Sequence, residues 1–125
     1  TLLLEATLAS STNQRRMEME PVSRHLGEYL LSHTDEQAYC LFATTYLHVN
    51  VISDFRMRKS TPYYSVDGTR FVEGMKIIPL QTSEIKTIIK KGLTYGNLYR
   101  LFEAAYNSTI APNLWYDKEI IEHVN

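Results

Sequence analysis

Two short apolar runs, separated by one helix-length polar stretch, constrain the fold of this chain more than any other feature. Leu2, Leu3, Leu4, Ala6 and Leu8 leave only Glu5 and Thr7 polar in the run from Thr1 to Ala9, and Ala38 to Ala43 is apolar throughout. Unalternated runs of this length read as strands buried on both sides. Between them, Ser10, Ser11, Thr12 and Asn13 offer helix N-caps. A helix is expected from about Asn13 to Leu31, with Pro21 opening a new turn or kinking it. Strand, helix, strand in about forty residues is a βαβ unit, so the two strands should run parallel with a right-handed crossover.

Further along, Asn50 is expected to cap a short helix that turns Val51, Ile52 and Phe55 inward and ends in the basic run Arg56, Arg58, Lys59. Residues 60–74 combine Pro62, an Asp67-Gly68 pair and alternating Tyr64, Val66 and Phe71, which predicts a hairpin or flap. Met75 to Leu80 reads as a third strand. Thr82 or Ser83 should cap the next helix, with Ile85, Ile88 and Ile89 on one face and Gly92 as its stop. A helix from about Tyr95 to Asn107 turns Leu98, Leu101, Phe102 and Ala105 inward, and Pro112 precedes a last short helix with Trp115 and Ile120. The class is α/β, with a central mixed sheet of three or more strands and flanking helices.

Length and charge narrow the options. A chain of 125 residues, 44% hydrophobic and 22% charged, supports one core and is neither disordered nor fibrous. Its net charge of −1 excludes a histone-like coat of cations but leaves room for a local basic face. The apolar runs are too short to span a membrane, and TLLLEATLAS lacks the basic start of a signal peptide. Cys40 is the single cysteine and sits mid-strand as core, which fits a reducing, cytoplasmic setting. Because the first strand begins at Thr1, the chain is expected to be an incomplete piece of a single, longer domain.

Glu5 is the first residue with a chemical question attached. A carboxylate in an apolar strand costs several kcal/mol to desolvate unless it is paired, and a salt bridge to an arginine is the commoner answer. The following helix adds a second possibility. At about 100° per residue, Gln14, Glu18 and His25 fall within roughly 40° of one another, on a face that can return over Glu5. Two carboxylates about 4 Å apart repel by roughly 4 kcal/mol at an effective dielectric of 20, and a divalent cation between them reverses the sign. Such hard oxygen ligands suit Mg2+ or Mn2+. With a metal there, Arg15, Arg16 and Arg24 become natural phosphate contacts; without one, the stripe is a solvated helix face. Tyr63 and Tyr64 beside Arg56, Arg58 and Lys59 offer stacking next to cations, though ordinary packing is the commoner role.

At these residues the chain resembles a known family. LLLEATLASSTNQRRMEMEPVSRHL is similar to the signature of the AlwI-type group of type IIS restriction and nicking endonucleases, within the PD-(D/E)XK nuclease superfamily. The likeness runs through Glu5-Ala6-Thr7, Gln14, Glu18 and Val22-Ser23-Arg24-His25-Leu26, and more weakly to about residue 91, leaving 92–125 as C-terminal helices. It implies a partial restriction-endonuclease-like fold and metal-dependent hydrolysis of a DNA phosphodiester. Glu5 and Glu18 would be metal ligands, Gln14 would complete the catalytic set, and Arg15, Arg24, Arg56 and Arg58 would contact double-stranded DNA. Thr7 stands where the superfamily's usual lysine lies, and His25 matches the pattern without an assigned role. The superfamily's first Asp lies upstream of this strand, so by resemblance the isolated chain should not cut DNA. Two alternatives stay open: a non-catalytic subunit that positions DNA or dimerises with a second cleavage subunit, and a repair nuclease of the same superfamily.

Overall fold

The computed structural model describes the backbone of residues 2–7 and 11–125, and the side chains of residues 2–6 and 20–125. Strand β1 (Leu2–Thr7) leads into helix α1 (Ser11–Ser32), and β2 (Tyr39–Thr44) follows. Next come α2 (Val49–Met57), a hairpin of β3 (Tyr63–Tyr64) and β4 (Phe71–Val72), and β5 (Lys76–Gln81). Helices α3 (Thr82–Lys91) and α4 (Tyr95–Asn107) precede a C-terminal helix. That helix starts as α5 (Pro112–Trp115), widens into a π-helical turn (Tyr116–Ile121) and closes on α6 (Glu122–Val124).

The sheet order is β1-β2-β5, and both pairings are parallel, with Glu5 beside Phe42 and Phe42 beside Pro79. The βαβ unit is therefore present. The sheet expected to be mixed is parallel in all three described strands, and antiparallel pairing is confined to the separate β3–β4 hairpin. Strands added in one direction by same-handed crossovers place α1 and α2 on one face. There Phe42 meets Phe55 of α2, ring centroids 5.0 Å apart. Side chains alternate along a strand, so Cys40 and Phe42 share that face with Leu3 and Glu5. Tyr39 looks the other way, onto Phe102 and Tyr99 of α4, each ring 5.7 Å from its own. At that end Glu103 accepts from the Tyr39 hydroxyl and from Lys76 Nζ at 2.9 Å, which together hold its carboxyl below the usual range.

Four local expectations are corrected. β1 is not buried on both sides: it is the outer strand of the described sheet, and Leu4 is 66% exposed. A leucine run records that a strand is apolar, not that it is central. His48, not Asn50, caps α2, its Nδ1 accepting from Asn50 N at 3.0 Å. Gln81, not Thr82 or Ser83, occupies the N-cap of α3. Ile88 is buried as expected, whereas Ile89 points to solvent. Gly92 does end α3, in the left-handed conformation (φ 63°) that favours glycine.

The hairpin is fastened to α1 by close backbone approach. Tyr63 donates its hydroxyl to Glu28 Oε1 at 3.0 Å and lays its ring over Gly27, where an added Cβ would stand 2.3 Å from Tyr63 Cδ1. Such overlap forces the ring or the helix to move. Gly27→Ala is expected to lower the unfolding free energy by about 1–3 kcal/mol, read from urea denaturation. An unchanged midpoint would show that Tyr63 is not seated on this glycine.

Candidate functional site

Glu5 is the carboxylate around which the site is built. It projects from β1 to the face that α1 covers, and His25 Nδ1 lies 2.5 Å from its Oε1. An ionised carboxylate only accepts, so the imidazole Nδ1–H donates. Both groups stay in touch with water: the Glu5 side chain is 27% exposed and that of His25 50%. The crossover explains the meeting. α1 runs antiparallel to β1, Val22 and Leu26 are fully buried, and His25, one residue short of Leu26, falls at the margin of the packed stripe beside the outer strand. The pairing answers the question raised by a carboxylate in an apolar strand with an imidazole instead of an arginine.

Gln14 and Glu18 lie on α1 upstream of His25, Glu18 about 10 Å nearer the helix N-terminus. Their side chains, with those of Arg15, Arg16 and Thr7, lie outside the described residues, and so does the expected meeting of Glu5 with Glu18. Among the described residues, no three or more His, Cys, Asp or Glu side chains gather to hold a metal. Glu5 itself is the right kind of donor for a hard cation, a carboxylate oxygen with about a quarter of its side chain open to water.

The arginines divide. Arg24 is exposed and forms an i,i+4 pair with Glu20 at 3.4 Å, a contact weak enough to exchange for another anion. Arg58 is half-buried at the end of α2. Arg56, expected to touch phosphate, is committed elsewhere. Its guanidinium donates to the carbonyls of Ala105 (3.1 Å), Tyr106 (3.0 Å) and Ser108, and it covers the ring of Trp115, itself fixed by Nε1 donating to Ala105 O at 2.8 Å. Lys59 Nζ adds a bond to Tyr106 O at 3.1 Å. These cations terminate α4, satisfying its last carbonyls and its negative dipole end.

Burial and the nearby Glu5 carboxylate push the Cys40 thiol up to about 12, so this cysteine is an inert neighbour of the site. A feature missed by sequence reasoning is a cleft of about 300 Å³ between the start of α2 and the C-terminal helix, with Tyr46, His48, Gln81, Asn113 and Asp117 among its lining. Gln81 stands in register with Thr44 and Thr7, so the cleft opens at the C-terminal ends of the strands, on the sheet face that carries Glu5. Its residues come from segments about thirty positions apart, 46–52, 81 and 112–121, and no local pattern joins them.

The AlwI restriction endonuclease family model matches residues 1–88. The fold is similar to the crystal structure of the small subunit of the heterodimeric restriction endonuclease R.BspD6I, with a TM-score of 0.67 and 18% identity. That match covers 98% of this chain and 60% of the subunit, so the chain spans less than two-thirds of the solved relative. No curated protein sequence matches the chain. Among the described residues, no helix is long and apolar enough to cross a membrane.

Two measurements check these placements. Arg56→Ala should lower stability by about 1.5–3 kcal/mol, because it strips a charged donor from buried carbonyls, while Arg58→Ala should leave the denaturation midpoint nearly unchanged. Cys40 should resist iodoacetamide at pH 8 in the folded chain and react readily in urea. Rapid labelling of the native chain would contradict its burial.

Proposed function

The chain belongs to the AlwI restriction endonuclease family, and we propose that it forms part of a DNA-cleaving domain whose reactive centre lies at the junction of β1 and α1. The observation that supports this reading is the Glu5–His25 contact, a partly desolvated carboxylate on β1 that meets the helix carrying Gln14 and Glu18 in its sequence. In this reading Glu5 and Glu18 hold Mg2+ or Mn2+, and Gln14 completes the set. The metal would supply a bound water of lowered pKa and polarise the scissile phosphate.

The chain's own residues supply position and charge. His25 holds the rotamer of Glu5 by donating to one carboxylate oxygen; partners of this kind orient metal ligands. Arg24, one residue before His25, and Arg15, on the same helix, hold neighbouring phosphates of double-stranded DNA, with Arg58 as an outlying contact. Arg56 has no part in this, because the end of α4 occupies it. The buried, protonated Cys40 adds no competing nucleophile and fits a cytoplasmic location.

A second reading has its own support. The solved relative is a small subunit of a heterodimeric enzyme, which favours a protein that works beside a second cleavage subunit rather than alone. The two readings share one centre and differ in whether it cuts.

Placed in its natural flanking sequence, the chain should nick or cut plasmid DNA in Mg2+, and Glu5→Ala should abolish product. His25→Ala should cost about 10–100-fold in rate or in the Mg2+ required, the usual loss when a ligand's orienting partner goes. Cleavage that survives Glu5→Ala defeats the catalytic reading. A protein that neither cuts nor binds Mn2+, yet co-purifies with a second subunit, supports the partner reading.

A further inference from the structure

The cleft at the C-terminal ends of β2 and β5 has a chemistry different from that around Glu5. We propose that it is a nucleobase subsite, which receives one unstacked base with an exocyclic amine from the DNA strand held at Glu5; the assignment rests on the endonuclease reading above. Three observations carry it.

Charge comes first. Among the described residues, no Lys or Arg lines the cleft, and Asp117 does. A phosphate is repelled there, whereas a neutral heterocycle with a donor edge is not. Next is the polar set. Tyr116 donates to Glu84 and accepts from Gln81 N at 2.7 Å, and Gln81 spends its amide on Leu47 N and Glu84, so the Gln81–Tyr116 wall is rigid and already satisfied. The side chains of Asn113 and Asp117 have no hydrogen bond or ion pair within the described residues and stand exposed. His48 Nδ1 is held as an acceptor by Asn50 N at 3.0 Å, which fixes its Nε2 as a donor. The cleft thus offers a carboxylate acceptor, an amide and an imidazole donor, which is the equipment for reading a base edge; carboxylates accept from the cytosine amine and asparagine pairs with adenine. The remaining lining suits a planar ring: Tyr46, 56% exposed, presents an aromatic surface, with Ile52 and Ile121 as apolar neighbours.

Position links the cleft to the reaction. β1 and β5 are two strand spacings apart, about 10 Å, which is the rise of about three stacked nucleotides. A base seated in the cleft therefore belongs to a nucleotide close to the scissile phosphate, and its capture holds the strand in place across the strand ends.

The test uses fluorescence anisotropy with labelled oligo(dC) and oligo(dT) of equal length, at one fixed low salt concentration and without divalent metal. Oligo(dC) should bind at least about threefold more tightly than oligo(dT). Tyr46→Ala should weaken oligo(dC) binding by about five- to hundredfold, and Asp117→Ala should bring the dC/dT ratio to about one. Both residues are exposed, and circular dichroism checks that the variants fold. Equal affinity for the two oligonucleotides, no binding to either, or a Tyr46→Ala variant that binds like the parent overturns the assignment. Glu5→Ala should keep the dC preference. A Glu5→Ala protein that still cuts DNA defeats the endonuclease assignment of Glu5, while a lost dC preference with normal cleavage defeats only the base subsite.

Discussion

The burial of β2 on both faces governs where every functional group in this molecule falls. Cys40 and Phe42 are fully buried on one side and Tyr39 is nearly so on the other, so helices must cover both faces, and parallel neighbours must reach β2 by crossovers. The first crossover is α1. Once it packs Val22 and Leu26 against the sheet, the residue between them in space and at the edge in angle is His25, and the outer strand presents Glu5 to it. The contact at 2.5 Å is thus a consequence of core packing, set before any substrate is considered. The same logic places α2 beside α1 and leaves its start, with His48, above the ends of the strands.

Glu5 shows why an outer strand suits such a centre. On a central strand, a carboxylate would be stripped of water and forced to protonate or find a full counter-charge. On β1, with Leu4 open to solvent beside it, Glu5 keeps a quarter of its surface wet and still faces a helix. One strand further in, the same field and deeper burial make Cys40 unreactive. A gradient of burial across one strand spacing separates the partly wet carboxylate from the inert thiol.

Much of this was legible in the sequence, and the losses have definite causes. The βαβ unit was readable because Leu2-Leu3-Leu4 and residues 38–43 are apolar runs with caps between them. The helix that carries Gln14, Glu18 and His25 was readable because helical periodicity is local. Whether a strand is central or outer depends on its neighbours, which explains the misplaced burial of Leu2 and Leu4. Arg56 reads as a DNA contact in the basic run with Arg58 and Lys59, yet its guanidinium is occupied by carbonyls 49–52 residues later in the chain. A histidine is an uncommon helix cap, so His48 lost to Asn50 on propensity. The cleft at Asp117 was invisible for the same reason as the role of Arg56, since only the docking of the C-terminal helix on α2 creates it.

The strand ends thus carry two electrostatic environments on one sheet face. Near α1, the exposed Arg24 stands one residue from His25, which contacts the Glu5 carboxylate, and a guanidinium of this kind attracts phosphate. Two strands away, Asp117 stands in a cleft with no cation, which rejects phosphate and accepts neutral donors. A polynucleotide is an alternation of these two chemistries, anionic backbone and neutral ring. In the proposed register, a strand crossing the sheet ends from β1 to β5 would meet a matching alternation. A protein with net charge −1 has no general attraction for DNA, so the proposed DNA contact rests on local pattern instead of bulk charge. In the opposite orientation Arg24 would face bases and Asp117 would face a phosphate, and Coulomb repulsion alone would disfavour that register.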